Sequence, residues 1–103
     1  MRTASAITEG INRRFFIALS ELIRLKRISS LSSFCREFNL SSSRYREIRL
    51  TYGLSPKPDY QSRYKCIEFD ALCSLCSVYS VSADWLFLGR GKMFGENEKD
   101  DKI

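Results

Sequence analysis

The stretch Leu31-Ser-Ser-Phe-Cys-Arg-Glu-Phe-Asn-Leu-Ser-Ser-Ser-Arg-Tyr-Arg-Glu-Ile-Arg-Leu50 decides how the chain is read. Its first apolar residues, Leu31, Phe34, Cys35 and Phe38, fall at i, i+3, i+4 and i+7, one face of a short helix. Asn39 then interrupts the pattern. Asn tolerates positive φ better than other non-glycine residues, so it can close a helix in the left-handed conformation. Leu40 follows as an apolar plug. Ser41, Ser42 and Ser43 come next, and any of the three hydroxyls can accept from the free N–H groups of a new helix. Tyr45, Ile48 and the stem of Arg49 form a second inward stripe, leaving Arg44, Arg46 and Glu47 outward. The spacing predicts two short helices joined by a tight turn, the second presenting small hydroxyls and arginines to solvent.

This arrangement resembles the helix-turn-helix of phage repressors and their relatives, whose second helix enters the DNA major groove. The residues that carry the resemblance are the small Cys35 where the two helices must approach, the turn residue Asn39, apolar Leu40, the polar start at Ser41, and inward Tyr45 and Ile48. Two positions depart from the pattern. The family usually has Gly where this chain has Asn39, and Val or Ile where it has Tyr45. Asn accepts the same backbone conformation, whereas tyrosine asks for a roomier core beneath the second helix. A later segment extends the resemblance. Val81-Ser-Ala-Asp-Trp-Leu-Phe-Leu-Gly89 is similar to the closing helix of phage-repressor-type domains, many of which carry Val-Ser-x-x-Trp-Leu-x-x-Gly after a helix ending in Tyr. Gly91-Lys-Met-Phe94 resembles a frequent ending of bacterial and phage members. Across residues 11–94 the resemblance implies an all-α, lambda-repressor-like fold of about five helices, double-stranded DNA as partner, no catalysis and no cofactor.

Composition agrees with one small folded domain. The chain has 103 residues, 44% hydrophobic and 13% aromatic, enough for a single modest core. It has no apolar run long enough to span a bilayer, and its start lacks a secretory pattern, so a cytoplasmic location with reduced thiols is expected. Charge is unevenly spread. Residues 1–66 hold 13 Lys/Arg against 5 Asp/Glu, whereas residues 67–103 hold 4 against 7. The basic part contains the helix pair, which suits a polyanion on that side.

The remaining chain divides around that pair. Residues 1–8 are small and polar, and read as a flexible arm. Glu9 to Lys26 reads as a long helix, with Thr8 or Asn12 placed to cap it. Ile11, Phe15, Ala18, Leu22 and Leu25 make one stripe, and Phe16, Leu19 and Ile23 widen it, so burial on two sides is predicted. Tyr52-Gly53 ends the second helix of the pair, and Ser55-Pro56-Lys57-Pro58-Asp59 cannot sustain a regular helix. Thr51 to Lys65 is therefore a loop. Its Tyr60, Arg63, Tyr64 and Lys65 mix aromatics with cations, as a short wing gripping phosphates would. Ile67 to Tyr79 reads as a helix with Leu72, Leu75, Cys76 and Tyr79 inward. After it, Ser82 is a plausible N-cap, Trp85, Leu86 and Leu88 point inward, and Gly89 stops the helix. Residues 95–103, mostly charged, read as a disordered tail.

The candidate contacts with DNA follow from the open face. Ser42, Ser43, Arg44 and Glu47 lie nearest the base edges, Arg pairing with guanine and Glu accepting from cytosine. Ser41 and the helix N-terminus suit a phosphate. Arg36, Arg46, Arg49, Arg63 and Lys65 are placed for flanking phosphates. One such unit covers few base pairs, and apolar Phe87, Met93 and Phe94 offer a surface for a homodimer. The alternative is a helix-turn-helix scaffold used for protein–protein contact, as an adaptor or antitoxin-like partner. An enzyme is disfavoured, because the chain has no histidine and no phosphate-binding glycine loop. Cys73-x-x-Cys76 lies within a helical pattern, and a four-thiolate metal site would also need Cys35 and Cys66, so these thiols read as small hydrophobes.

Overall fold

Ser5 opens the first helix: its hydroxyl accepts from the Thr8 N–H, and α1 runs Ala6–Arg24. The structure, a computed structural model, describes residues 5–94. The expected arm thus yields Ala6 to Thr8 to α1, while residues 1–4 and the expected tail lie outside the described residues. Four further helical segments follow: α2 (Leu31–Glu37), α3 (Ser42–Tyr52), α4 (Phe69–Tyr79) and a single π-helical turn, α5 (Asp84–Leu88). The fold is all-α, and no sheet forms among the described residues, where one isolated bridge joins Val81 to Phe94.

The core forms where α1, α2 and α3 meet. Phe15 of α1 is fully buried, with its ring centroid 5.9 Å from both Phe34 of α2 and Tyr45 of α3. Phe16, Ala18, Leu19 and Leu22 complete the buried face of α1, which confirms its two-sided burial. Leu31, Cys35, Ile48, Leu72, Leu75 and Leu86 close the same cluster from the other elements. Burying such apolar side chains stabilises the fold by about 1.5–3 kcal/mol each.

Tyr45 shows how the wider residue is housed. The space beneath α3 is bounded by the start of α4, and the phenol has a polar partner there. Tyr45 Oη donates to Glu68 Oε1 at 2.9 Å and accepts from the Glu68 N–H at 3.1 Å. Glu68, at the N-cap of α4, leaves its own helix without a side-chain cap and serves the phenol instead. Burial holds the Tyr45 hydroxyl well above the ordinary tyrosine range, so it stays a neutral donor.

Asn12 departs from its expected capping role. It lies fully buried within α1, and its amide bonds the backbone of a distant loop. Nδ2 donates to the Lys65 carbonyl at 2.9 Å, and Oδ1 accepts from the Ile67 N–H at 3.2 Å. The amide thereby pairs two backbone groups that run past α1 with no helix or strand partner.

Three helices end on a left-handed residue that is not glycine: Lys26 after α1, Asn39 after α2 and Ser80 after α4, with φ of 65°, 61° and 64°. In each case the next amide reaches back to a carbonyl in the last turn, as Arg27 N–H does to Leu22 O, Leu40 N–H to Cys35 O and Val81 N–H to Leu75 O. The reversal at Lys26 corrects one expectation: Leu25 caps α1 rather than continuing it, and is exposed. A second correction concerns α5. It is a π turn in which Leu86 is fully buried, whereas Leu88, two positions on and therefore on the opposite side, is exposed. α4 also starts two residues later than the periodicity suggested, at Phe69.

Arg14 ties α5 to α1, donating from Nε to the Leu86 carbonyl at 2.9 Å. Gly10 and Gly89 leave room for it, since a Cβ at either would sit 3.2 and 3.1 Å from Arg14 Nη1. Phe87, Met93 and Phe94 are half-buried against the core, so the exposed apolar groups of this end are Ile7 and Leu88.

Two substitutions test this account. Asn12→Ala is expected to destabilise the fold by roughly 1–3 kcal/mol for each orphaned backbone group, read from urea midpoints at constant slope. Ser80→Gly is expected to raise stability by roughly 0.5–1 kcal/mol, because the left-handed cost to a side chain outweighs the extra chain entropy of glycine; a loss of stability would show that the Ser80 conformation is not strained.

Candidate nucleic-acid interface

The geometry of the α2–α3 pair follows from its turn. The Leu40 N–H meets the Cys35 carbonyl at 2.7 Å and the Asn39 N–H meets the Arg36 carbonyl at 3.4 Å, so left-handed Asn39 satisfies two carbonyls at the end of α2. Only Ser41 of the three serines is the N-cap of α3: its Oγ accepts from the Arg44 N–H at 3.2 Å. Ser30 and Ser33 fix the start of α2 by reciprocal bonds of 3.1 Å each. Tyr45 and Ile48 are fully buried and Tyr52 nearly so, which turns the rest of α3 outward.

On the open side of α3, Ser43, Arg46, Arg49 and Leu50 are exposed and Ser42 is half-buried. Arg46 leans toward α2, with Nη1 3.5 Å from Ser32 Oγ. Arg36 is exposed near the end of α2. Arg49 lies against the last turn of α3, where its Cγ would be 2.6 Å from a Cβ at Gly53.

The other flank of α3, the stripe of Arg44, Glu47 and Thr51, is covered by the loop. Arg44 Cζ sits 4.6 Å from the centroid of the Tyr64 ring. Glu47 accepts three bonds from Arg63, from its backbone N–H, Nε and Nη2, each at 3.2 Å. Thr51 Oγ1 accepts from the Ser62 N–H at 2.8 Å and lies 3.4 Å from the Tyr60 carbonyl. Glu47, expected on the open face, is therefore engaged: its side chain is 18% exposed, while that of Arg63 is 76% exposed and lies over it. Lys65 turns back on its own loop, donating from Nζ to the Ser62 carbonyl at 2.6 Å. No strand forms in this loop, so the expected wing is an irregular segment held by side chains.

The electrostatics follow the pairing. Hydrogen bonds from Arg63 hold the Glu47 carboxyl below its usual range and push the Arg63 guanidinium further up. Glu47 is the one acidic residue in α3, against three arginines, so its neutralisation by Arg63 leaves the face with a net positive charge. The helix N-terminus at Ser41 adds partial positive charge at the same end.

Of the expected site residues, Arg44, Glu47 and Arg63 are thus joined by one loop on a flank of α3, while Arg46 and Arg49 stand exposed on its open side and Arg36 is exposed near the end of α2. Tyr64, Tyr60 and Thr51 organise the flank: the two tyrosines of the expected wing face α3, and Thr51 is a tie that sequence reasoning misses. The polar i, i+3, i+7 stripe of Arg44, Glu47 and Thr51 was visible as a pattern, but its partner was not. All four thiols are free. Cys35 is buried in the core, which pushes its thiol up, Cys73 and Cys76 are half-buried on α4, and Cys66 is exposed. Among the described residues, no cluster of three or more His, Cys, Asp or Glu side chains is arranged to hold a metal, and no helix is long and apolar enough to cross a membrane.

No protein-family model, no curated protein and no solved structure matches the chain.

The Arg63–Glu47 contact carries a pH signature. Glu47 has a lowered pKa in the fold, so the contact contributes fully above the ordinary glutamate value of about 4.3 and is lost as pH falls through the lowered one. The Arg63 backbone amide resonance is expected to move as Glu47 is protonated, in a titration below the ordinary range. In Glu47→Gln that titration should vanish; its persistence would assign the change to another carboxyl.

Proposed function

We propose that this protein is a sequence-specific DNA-binding transcriptional regulator of the lambda-repressor-like helix-turn-helix type, acting in the cytoplasm. The observation that carries the reading is the state of α3. It is capped at Ser41, anchored from below by Tyr45 and Ile48, and flanked by a loop that neutralises its one acid. A helix so held presents arginines and serines at a fixed angle, as entry into the major groove requires.

Residue roles follow from placement. Ser41 and the first amides of α3 receive a phosphate. Ser42, Ser43 and Arg44 lie nearest the base edges, where an arginine reads guanine through two bonds. Arg36, Arg46 and Arg49 grip phosphates on the borders, and Arg63 extends that grip from the loop. Glu47, with both oxygens on Arg63, acts by fixing that arginine rather than by reading cytosine. Lys65 tightens the loop. Two copies would read half-sites about one DNA turn apart.

The test is selection from a random double-stranded DNA pool across a salt series, with sequencing of the bound fraction. A short, two-fold symmetric motif is expected, with affinity falling steeply as salt rises. Arg44→Ala should lose roughly 1–3 kcal/mol on that motif, with little change on unrelated duplexes. Weak binding without enrichment would overturn the reading and favour a scaffold for protein contact.

A further inference from the structure

Arg44 is held in a way the fold does not require. Arg13 and Arg24 pair with glutamates on α1, Arg63 pairs with Glu47, and Arg14 meets a backbone carbonyl. Arg44 has no such acceptor among the described residues. Its Nε is buried and without a hydrogen-bond partner, an arrangement that costs free energy. What holds the group is the Tyr64 ring, 4.6 Å from Arg44 Cζ, with Arg63 Cζ 5.4 Å from the same centroid. A cation over an aromatic face is attracted by the ring quadrupole, which offsets that cost without using the outer donors. The planar face lies on the ring and Nε is buried beneath it; the two terminal nitrogens are left for an external acceptor pair.

We propose that Tyr64 is a specificity-determining positioning residue: by stacking beneath Arg44 it orients the guanidinium edge for two-bond recognition of a base, guanine being the base whose major-groove acceptors match it. This rests on the DNA-binding reading above. The loop makes it possible. Asn12 bonds the backbone at Lys65 and Ile67, and Thr51 bonds it at Ser62, so Tyr64 is pinned from both sides. The Ser62 hydroxyl also accepts from the Tyr64 N–H at 3.0 Å. A pinned ring removes rotamer freedom that a solvent-exposed arginine would otherwise lose on binding, so the gain is in discrimination rather than in general attraction to phosphate.

The experiment compares Tyr64→Phe, Tyr64→Leu and wild type on the duplex selected by the wild-type protein, on single-base variants of it, and on an unrelated duplex. Tyr64→Phe keeps the aromatic face and should retain the wild-type base preference. Tyr64→Leu should lose it by roughly fivefold to thirtyfold at one base pair, the scale of a partly desolvated cation–aromatic contact. Binding to the unrelated duplex should stay within about twofold, with thermal midpoints recorded to verify folding. In an Arg44→Ala background, Tyr64→Leu should have no further effect at that base pair. Equal loss on every duplex, unchanged preference in Tyr64→Leu, or an effect that survives Arg44→Ala would each overturn the assignment while leaving DNA binding itself intact. Absence of any selected duplex for the wild-type protein would overturn the DNA reading, and this assignment with it.

Discussion

The buried amide of Asn12 is the constraint on which the candidate surface depends. A primary amide inside an apolar helix face is unfavourable unless its donor and acceptor are both used. Here both are used on one strand of backbone, at Lys65 and Ile67. That pair of bonds decides where the loop leaves α1, and therefore where Ser62, Arg63 and Tyr64 lie along α3. A hydrophobe at position 12 would fill the same space but would leave the Lys65 carbonyl and the Ile67 N–H unpaired, and the loop would be held only from the α3 side, by Thr51 and Glu47.

The second level of organisation is the way α3 is seated. Phe15 supports it from α1, and the Tyr45 hydroxyl links it to Glu68, the N-cap of α4. A hydroxyl bond at this depth is directional, whereas a valine or isoleucine would fix only volume. α3 is thus oriented by packing on one side and by hydrogen bonding on the other. Its outward face inherits that orientation, and the loop completes it by masking Glu47 and supporting Arg44.

The turns show a different economy. Lys26, Asn39 and Ser80 each take the left-handed conformation that glycine adopts without strain. The cost at each is local, and the bonds across each turn set the angle between successive helices. Gly89 ends α5 in the same left-handed conformation and, with Gly10, also admits Arg14 between α1 and α5.

What the sequence by itself determined is the set of features carried by neighbours three to seven positions apart. The stripes of Leu31, Phe34 and Cys35, of Tyr45 and Ile48, and of Leu72, Leu75 and Tyr79 were legible because helical periodicity repeats within that span. So were the left-handed turn at Asn39, a serine cap for α3 among Ser41 to Ser43, and the stop at Gly89, since each is a property of one residue type beside a helix end; the expected cap at Ser82 falls one residue before the actual N-cap, Ala83, although its hydroxyl accepts from the Trp85 N–H. Only the tertiary structure decided the fate of groups whose partners are remote. Asn12 meets Lys65 across 53 positions, and Glu47 meets Arg63 across 16. Nothing in the local pattern distinguishes a solvated Glu47 from a paired one, or a surface Tyr64 from a ring beneath Arg44. Leu25 reads as inward by its spacing yet is exposed, because the chain reverses at Lys26, which local spacing does not encode. Side-chain periodicity fixes which face of a helix is apolar; the path of the loop fixes what its polar face touches.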